Sequence, residues 1–156
     1  MDAKTFINES NRIEGILRPP NKAEVSEFYQ FMELDKITVQ DMTRFVKIYQ
    51  PDARLRDKVG LDVAIGGRIA ARGGPMIREQ LAGLLARAER PFVICESVED
   101  SAFATHIAYE LLHPFTDCNG RSGRMLWAWQ MRKFPLGFLH TFYYQSLAAL
   151  SRPPIP

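Results

Sequence analysis

The sequence predicts an all-α domain that carries one small β-hairpin. Apolar residues recur at helical spacing in most of the chain, and clusters of proline and glycine separate these segments. A single stretch, residues 61–65, alternates instead with a period of two. The chain has 156 residues, of which 46% are apolar and 24% charged, a size and composition typical of one globular domain with a buried core.

Capping signals mark the first two helices of the predicted core. Asn21 follows Pro19 and Pro20 and has Glu24 three residues later, which predicts a reciprocal capping box. Thr38 and Asp41 repeat this spacing, and Pro51 ends the segment that follows. The inward residues of the first of these helices are Val25, Phe28 and Met32. Those of the second are Val39, Met42, Phe45, Val46 and Tyr49.

Four further helices follow from the same kind of pattern. One opens at Pro75, after two glycines, with the apolar stripe Ile77, Leu81, Leu84, Leu85 and Ala88. The next covers about Ser101 to Leu112, with the inward residues Phe103, Ile107 and Leu111. A helix that is apolar on nearly all sides follows in the segment RSGRMLWAWQM, residues 121–131, and is predicted to be central. The last covers roughly Phe138 to Leu150.

The period-two stretch predicts the strand of a hairpin. Leu61, Val63 and Ile65 alternate with Asp62 and Ala64, and two glycines follow at positions 66 and 67. Paired glycines suit the tight turn between two antiparallel strands.

Composition excludes several classes of function. A net charge of +2 gives no footprint for nucleic acid or for an anionic membrane. No run is long enough to span a bilayer, and the N-terminus lacks the apolar core of a signal peptide. Two cysteines, Cys95 and Cys118, indicate free thiols in a reducing compartment. We therefore expect a cytoplasmic protein, although an effector injected into another cell has the same features.

The stretch HPFTDCNGRSGR, from His113 to Arg124, gathers groups suited to phosphate chemistry just before the central helix. Asn119 and Gly120 tolerate left-handed backbone angles, so the turn can point amides at an anion beside the positive end of a helix. Arg121 and Arg124 lie three apart, which places them on one helix face where they can bind several phosphates.

Two further residues of this stretch complete the set that phosphoryl-type transfer requires. Asp117 is a candidate magnesium ligand, because Mg²⁺ takes one or two carboxylates and fills its other positions with phosphates and water. His113 is a candidate general base, and Glu110, three residues earlier, could orient it. Taken singly, each residue has an ordinary structural reading as a cap, a turn residue or a solvated cation. All of them within twelve positions favour a functional site.

The stretch resembles the signature of the Fic (filamentation induced by cAMP) family, H-P-F-x-[D/E]-G-N-G-R-x-x-R. Every defined position matches except the first glycine, which is Cys118 here. Flanking segments such as YELLHPF and FLHTFYYQSL are also similar, so the resemblance extends from about Pro20 to Ser151. It implies the Fic fold, a helical bundle with a β-hairpin flap.

The resemblance implies a protein adenylyltransferase that moves AMP from ATP to a Tyr, Thr or Ser hydroxyl of a target protein. In that family pattern His113 activates the hydroxyl, Phe115 anchors the loop and Asp117 holds Mg²⁺. The phosphate-binding residues are Cys118, Asn119, Gly120, Arg121 and Arg124, the last of which meets the γ-phosphate. The flap residues that bind the target by strand addition are Asp62, Val63, Ala64 and Ile65.

A second resemblance lies near the N-terminus. The stretch SNRIEG, from Ser10 to Gly15, is similar to the inhibitory motif [S/T]-x-x-x-E-[G/N] of Fic proteins that repress themselves. On a helix Ser10 and Glu14 share one face, and a carboxylate that reached Arg124 would pair with it where the γ-phosphate belongs. We therefore expect an inhibitory helix in residues 1–18, a Fic domain in residues 19–151 and a loose tail in residues 152–156.

Two other functions remain open from the sequence. Members of the family also transfer other nucleotides, phosphocholine or a phosphate, and a substituted nest could leave a non-catalytic nucleotide-binding module. The sequence also leaves open whether the chain forms a homo-oligomer.

Overall fold

The protein is described by a computed structural model that covers residues 2–65, 68–89 and 98–132. The predicted helix at 138–150, the tail at 152–156, Cys95 and the glycine turn at 66–67 lie outside these residues. The described part is all-α in class, and its six helices are α1 (Ala3–Ile13), α2 (Lys22–Met32), α3 (Val39–Tyr49), α4 (Pro75–Ala88), α5 (Val98–Leu112) and α6 (Asn119–Gln130). None of the helices in these ranges is both long and apolar enough to cross a membrane.

Both predicted capping boxes are present. The Asn21 side chain accepts from the Glu24 amide at 2.9 Å, and the Glu24 carboxylate accepts from the Asn21 amide at 2.8 Å. Thr38 and Asp41 exchange the equivalent bonds at the start of α3. These bonds satisfy amides that the first turn of a helix leaves without partners, so the sequence fixes where α2 and α3 begin.

Helix α6 is the central helix, as predicted. It contacts α1, α2, α3 and α5, and ten of its twelve residues are buried. The inward stripes predicted for α3 and α4 are also buried, apart from Val39 and Ala88 at the ends, which are partly buried. The central helix therefore carries the end of the His113–Arg124 stretch into the middle of the fold.

The apolar face predicted for α5 is buried only in part, at Phe103 and Ile107. Leu111 is half exposed, whereas His106 and Tyr109 are buried. The cause lies in α6, where Gly123 has no side chain and a Cβ there would lie 3.0 Å from the Tyr109 ring and 3.3 Å from the His106 ring. Because Gly123 has no side chain, the two helices approach closely. The polar side chains that face it are therefore buried, although their hydropathy predicts exposure.

The predicted strand is shorter than its alternation indicates. Strand β1 is Ala64–Ile65 and pairs antiparallel with β2, Arg68–Ile69, while Leu61 and Asp62 lie outside the ladder. Their polar groups have other partners, because the Leu61 carbonyl accepts from Arg56 at 3.1 Å and the Asp62 carboxylate accepts from the Gly73 amide at 2.8 Å. These bonds close the base of the two-stranded unit instead of lengthening it.

Candidate functional site

Residues 113–118, which we call the motif loop, connect α5 to α6 and are attached to the segment 54–56. The Arg56 amide donates to the Pro114 carbonyl and the Thr116 amide donates to the Arg54 carbonyl, both at 2.9 Å. Phe115 forms the bridge with Leu55 and is fully buried in the core. The loop therefore has a fixed backbone, with Phe115 as its anchor.

Asn119 holds the loop closed from the helix side. Its side-chain oxygen accepts from the Phe115 amide at 2.9 Å and its side-chain nitrogen donates to the Phe115 carbonyl at 2.8 Å. Both halves of the amide are therefore used within the protein. The Asn119 side chain is engaged with Phe115, and its backbone N–H is the group that opens α6.

The left-handed residue of the turn is Cys118, which corrects the expectation for Asn119 and Gly120. Cys118 has φ 68° and ψ 15° and precedes α6, whereas Asn119 and Gly120 form its first turn. The amides at the start of this helix have no acceptor within it and receive no cap from a side chain. Burial raises the pKa of the Cys118 thiol to about 12, so the thiol is protonated and unreactive at neutral pH.

Arg124 is buried and joins α6 to the N-terminal helix. Its Nε donates to the Ser10 hydroxyl at 2.8 Å, and its Nη2 donates to the Ser10 carbonyl at 3.0 Å and to Glu14 Oε1 at 2.5 Å. Ser10 and Glu14, which the sequence analysis placed on one face, thus meet the same guanidinium. We call these three residues the Arg124 site.

The Glu14 carboxylate lies over the first turn of α6. A Cβ added to Gly120 would overlap Glu14 Oε1 and would lie 3.1 Å from Arg124 Nη1. A negative oxygen is therefore held against the positive end of the helix and beside a buried cation. This arrangement is an anion site that the chain's own carboxylate fills.

Gly15 determines where Glu14 is placed. It has φ 73°, and after it the Ile16 amide donates to the Asn11 carbonyl at 2.9 Å while the Gly15 amide donates to the Arg12 carbonyl at 3.0 Å. This is a Schellman motif, which ends a helix with a left-handed residue. Because α1 stops there, Glu14 is its C-cap residue and projects from the end of the helix toward Arg124.

The two arginines predicted on one face contact different elements. Arg121 is buried and donates through Nη1 to the Tyr49 carbonyl of α3 at 3.3 Å, and its Nε has no hydrogen-bond partner within the part of the chain that the structure describes. Burial raises the pKa of Glu24, but the hydrogen bonds from Arg18 and Asn21, together with the charges of Arg18 and Arg121, lower it overall. Arg121 therefore faces α3, while Arg124 faces α1.

His113 begins the motif loop with a left-handed backbone, φ 49°. Its side chain is half-buried, and its buried Nδ1 has no hydrogen-bond partner among the described residues. Burial, together with the nearby Arg56 charge, lowers the pKa of the imidazole from its usual 6.5. The ring is therefore neutral at pH 7 and can accept a proton.

Asp117 is the exposed acid of the loop. Its Oδ1 accepts from the Cys118 amide at 2.5 Å, and the side chain is exposed to solvent. In the described ranges no group of three or more acidic, histidine or cysteine side chains could hold a metal on its own. The donor set thus fits a cation such as Mg²⁺ that takes one carboxylate and completes its coordination with phosphates and water.

The hairpin residues named in the sequence analysis have mixed roles. Asp62 serves the base of the unit, and the Val63 carbonyl accepts from the Ala70 amide at 3.0 Å, just beyond the two-residue ladder. The Ala64 side chain is exposed, and Ile65 pairs with Arg68 through its backbone. None of these contacts joins the hairpin side chains to the motif loop.

The Glu110 backbone acts on the His113 imidazole and partly offsets the lowering of its pKa by burial, whereas the Glu110 carboxyl, which the sequence suggested could orient His113, lies elsewhere. Its carboxyl lies against α6, with Oε1 2.8 Å from a Cβ added to Gly123 and 4.0 Å from His106 Nε2. Burial raises the pKa of this carboxyl to about 7. Sequence analysis also missed Arg56, which is fully buried beneath the motif loop. It is one of two arginines in the stretch DARLRD, and no local signal distinguishes it from the other.

A scan against protein-family models gives no match, and a comparison with curated proteins gives none either. The functional assignment of this site therefore depends on the motif and on the geometry described above.

Proposed function

We propose that the protein is a self-inhibited protein adenylyltransferase that transfers AMP from ATP to a hydroxyl of a target protein. One observation carries the proposal: the buried Arg124 guanidinium, which lies against the first turn of α6, is bound by Ser10 and Glu14, 114 and 110 residues earlier in the chain. A buried cation at a helix N-terminus is a site for phosphate. A carboxylate from the same chain that fills this site has the position of a competitive inhibitor of phosphate binding.

His113 is the proposed base of the reaction. Its imidazole is kept neutral by burial, so it can take the proton of an attacking hydroxyl. The hydroxyl oxygen then bonds to the α-phosphorus, the bond from that phosphorus to the β-phosphate bridging oxygen breaks, and pyrophosphate leaves. The proton ends on the imidazole, and the products are AMP–protein and pyrophosphate.

Three groups would stabilise the charge on the phosphates. They are the amides that open α6, the Arg124 guanidinium and the Nε of Arg121, which has no partner among the described residues. Asp117 would hold Mg²⁺, which supplies further neutralisation of phosphate charge when bound. Preorganised charge of this kind supports phosphoryl-type transfer, because the reaction requires mainly positioning and electrostatic stabilisation.

The Glu14 carboxylate is the proposed brake. Arg124 cannot donate to it and to a γ-phosphate through the same N–H, so ATP binds in a productive pose only after the carboxylate leaves. The Glu14 side chain is 37% exposed, which allows water to solvate it when it moves away. The proposed target segment adds as a strand beside β1 and β2, where backbone hydrogen bonds align a hydroxyl without reading much sequence.

The test is transfer of label from ATP to protein in a cell lysate. With α-phosphate label, we expect Glu14→Gly to modify protein at least ~10-fold more than wild type, and Glu14→Gly with His113→Ala to modify none. Glu33→Gly is the matched control, because Glu33 also follows the last turn of a helix and is exposed, but belongs to α2. Equal labelling by wild type, Glu14→Gly and Glu33→Gly would remove the brake from the proposal.

The position of the label separates the other functions. Label that appears only from the γ-phosphate indicates a phosphate transferase, and label from another nucleoside triphosphate but not from ATP indicates transfer of a different nucleotide. Binding of ATP to Glu14→Gly with no label on protein indicates a nucleotide-binding module without transfer. Mass spectrometry of the labelled band identifies the target residue as Tyr, Thr or Ser.

A further inference from the structure

Arg56 is fully buried and is bonded to the main chain alone. Its guanidinium donates from Nε to the His113 carbonyl at 2.7 Å and from Nη2 to the Leu112 carbonyl at 2.9 Å. Its Nη1 donates to the carbonyls of Leu61 and Ala71, at 3.1 Å and 2.7 Å. Within the described ranges no carboxylate lies at ion-pair distance from it. We call Arg56 and these four carbonyls the Arg56 cluster.

The four carbonyls belong to two structural units. Leu112 is the last residue of α5 and His113 the first of the motif loop, so the guanidinium caps the negative end of a helix and holds the next peptide. Leu61 precedes β1 by three residues and Ala71 follows β2 by two, so the same group joins both sides of the hairpin base. One side chain thus links the proposed target-binding unit to the backbone of the proposed base.

The backbone at His113 requires such support. A non-glycine residue with positive φ is strained by about 1 kcal/mol or more, and it persists only where its surroundings fix it. The carbonyls of Leu112 and His113, on the two sides of this residue, both accept from Arg56. Two parallel bonds from a planar guanidinium fix orientation as well as distance.

We infer that Arg56 is a positioning residue for the proposed transfer, since its fork holds the His113 backbone and the hairpin base at one fixed separation. This inference rests on the proposed function. A target strand on the hairpin brings its hydroxyl to the imidazole only if the hairpin and His113 keep that separation. A small displacement of reacting groups costs large factors in rate, whereas ATP, which binds at α6, does not depend on it.

Arg56→Lys is the first test, with Glu14→Gly as background. Lysine keeps the positive charge but has three donors on one nitrogen and no planar fork, so it cannot reproduce the four bonds. We expect kcat for AMP transfer to fall by ~10-fold or more, with the KM for ATP unchanged within about twofold. The control is Phe31→Leu, which removes buried volume in α2, away from the Arg56 cluster. We expect it to lose about as much stability as Arg56→Lys and to leave kcat unchanged.

The titration of His113, followed by NMR, tests the same contact without any enzymatic activity. Arg56, Asp117 and Glu14 are the charges that act on this imidazole. Arg56→Met removes the positive one, so the pKa of His113 should rise, while Arg56→Lys should leave it near the wild-type value.

The outcomes separate the positioning role from the proposed function. If Arg56→Lys has the kcat of the Phe31→Leu control, or if folded Arg56→Met leaves the pKa of His113 unchanged, the positioning role is wrong. Where Arg56→Met does not fold, the kcat of Arg56→Lys decides. If the Glu14→Gly background with Arg56 intact transfers no AMP, the proposed function is wrong, and the titration alone decides whether Arg56 acts on His113.

Discussion

Two buried arginines, Arg124 and Arg56, hold the parts of the candidate site together, and they differ in the groups that they bind. Arg124 binds the carboxylate of Glu14, whose side chain is 37% exposed. Arg56, which is itself 0% exposed, binds four main-chain carbonyls. A side chain at the surface can leave and be replaced by a phosphate oxygen. Carbonyls of the backbone cannot leave unless the local fold opens. Arg124 is therefore suited to an exchangeable contact, and Arg56 to a permanent one.

The largest expected effect is on stability at Arg56. Arg56→Met removes the donor of four main-chain carbonyls, of which that of Leu112 is buried and the others are partly buried, so we expect it to lower the free energy of unfolding by about 3–5 kcal/mol. Arg124→Ala should lower it by about 1–2 kcal/mol, because Glu14 can turn to water. Chemical denaturation measures both. Equal losses would mean that the two arginines are equally structural.

Near the Arg124 site lies a further acid, Glu110, whose pKa burial raises from its ordinary 4.5 to about 7. Between these values the folded chain holds a proton that the unfolded chain has lost, so the contribution of Glu110 to stability falls as pH rises from 4.5 through 7. The glutamine of Glu110→Gln does not titrate, so this loss of stability with rising pH is absent in the variant. We expect its free energy of unfolding, relative to wild type, to rise by on the order of 2–3 kcal/mol between pH 5 and pH 8.

Denaturation curves at several pH values measure this difference. His106, whose pKa burial lowers to about 4, has the opposite slope, but it is present in both proteins and largely cancels. Glu79→Gln, an exposed change in α4, is the control. A difference between Glu110→Gln and wild type that stays flat from pH 5 to pH 8 would exclude a titrating acid beside Arg124.

The position of Glu14 can be tested without changing Glu14. Gly15→Ala puts a side chain at φ 73°, where no atom lies within 4 Å of the new Cβ, so the cost of about 1 kcal/mol is purely conformational. Gly60→Ala has the same kind of cost at φ 89°, also in open space, but lies far along the chain from α1. Thermal unfolding should show similar losses for both variants.

The two glycine variants should differ in transfer activity. We expect only Gly15→Ala to raise labelling from ATP, because only it displaces Glu14 from Arg124. Activation by Gly60→Ala to the same extent would show that general destabilisation, and not the Arg124 site, controls activity.

The smallest expected effect is at Cys118. Cys118→Gly relieves a left-handed cysteine but loses a buried thiol and gains freedom in the unfolded chain, so stability should change by less than about 1 kcal/mol. Cys118→Val, with a β-branched side chain at the same angles, should lose more than about 2 kcal/mol. Denaturation at neutral pH compares the two. A large gain in stability from Cys118→Gly would mean that the left-handed cysteine is strained by well over about 1 kcal/mol.

Predictions that depended on neighbouring residues were confirmed most fully. The starts of α2, α3 and α4 and the central position of α6 follow from caps, a proline and periodic apolar residues. Predictions that depended on distant contacts were less accurate. Leu111 was expected on the buried face of α5 because it is apolar. The face that is buried carries His106 and Tyr109 instead, because it packs against Gly123 of α6. The left-handed turn was expected at Asn119, yet Cys118 adopts it because Asn119 is used to bind Phe115.

The sequence by itself determined the helices, their caps and the twelve-residue stretch that suits phosphate, because each depends on groups within a few positions of one another. Only the tertiary structure decided which groups fill the site. Arg124 meets Glu14 across 110 residues, and Arg56 meets the His113 carbonyl across 57. A resemblance to a family suggested the first contact, and nothing in the sequence suggested the second. A hydrogen bond between distant residues depends on how the helices pack, and that packing has no local signature.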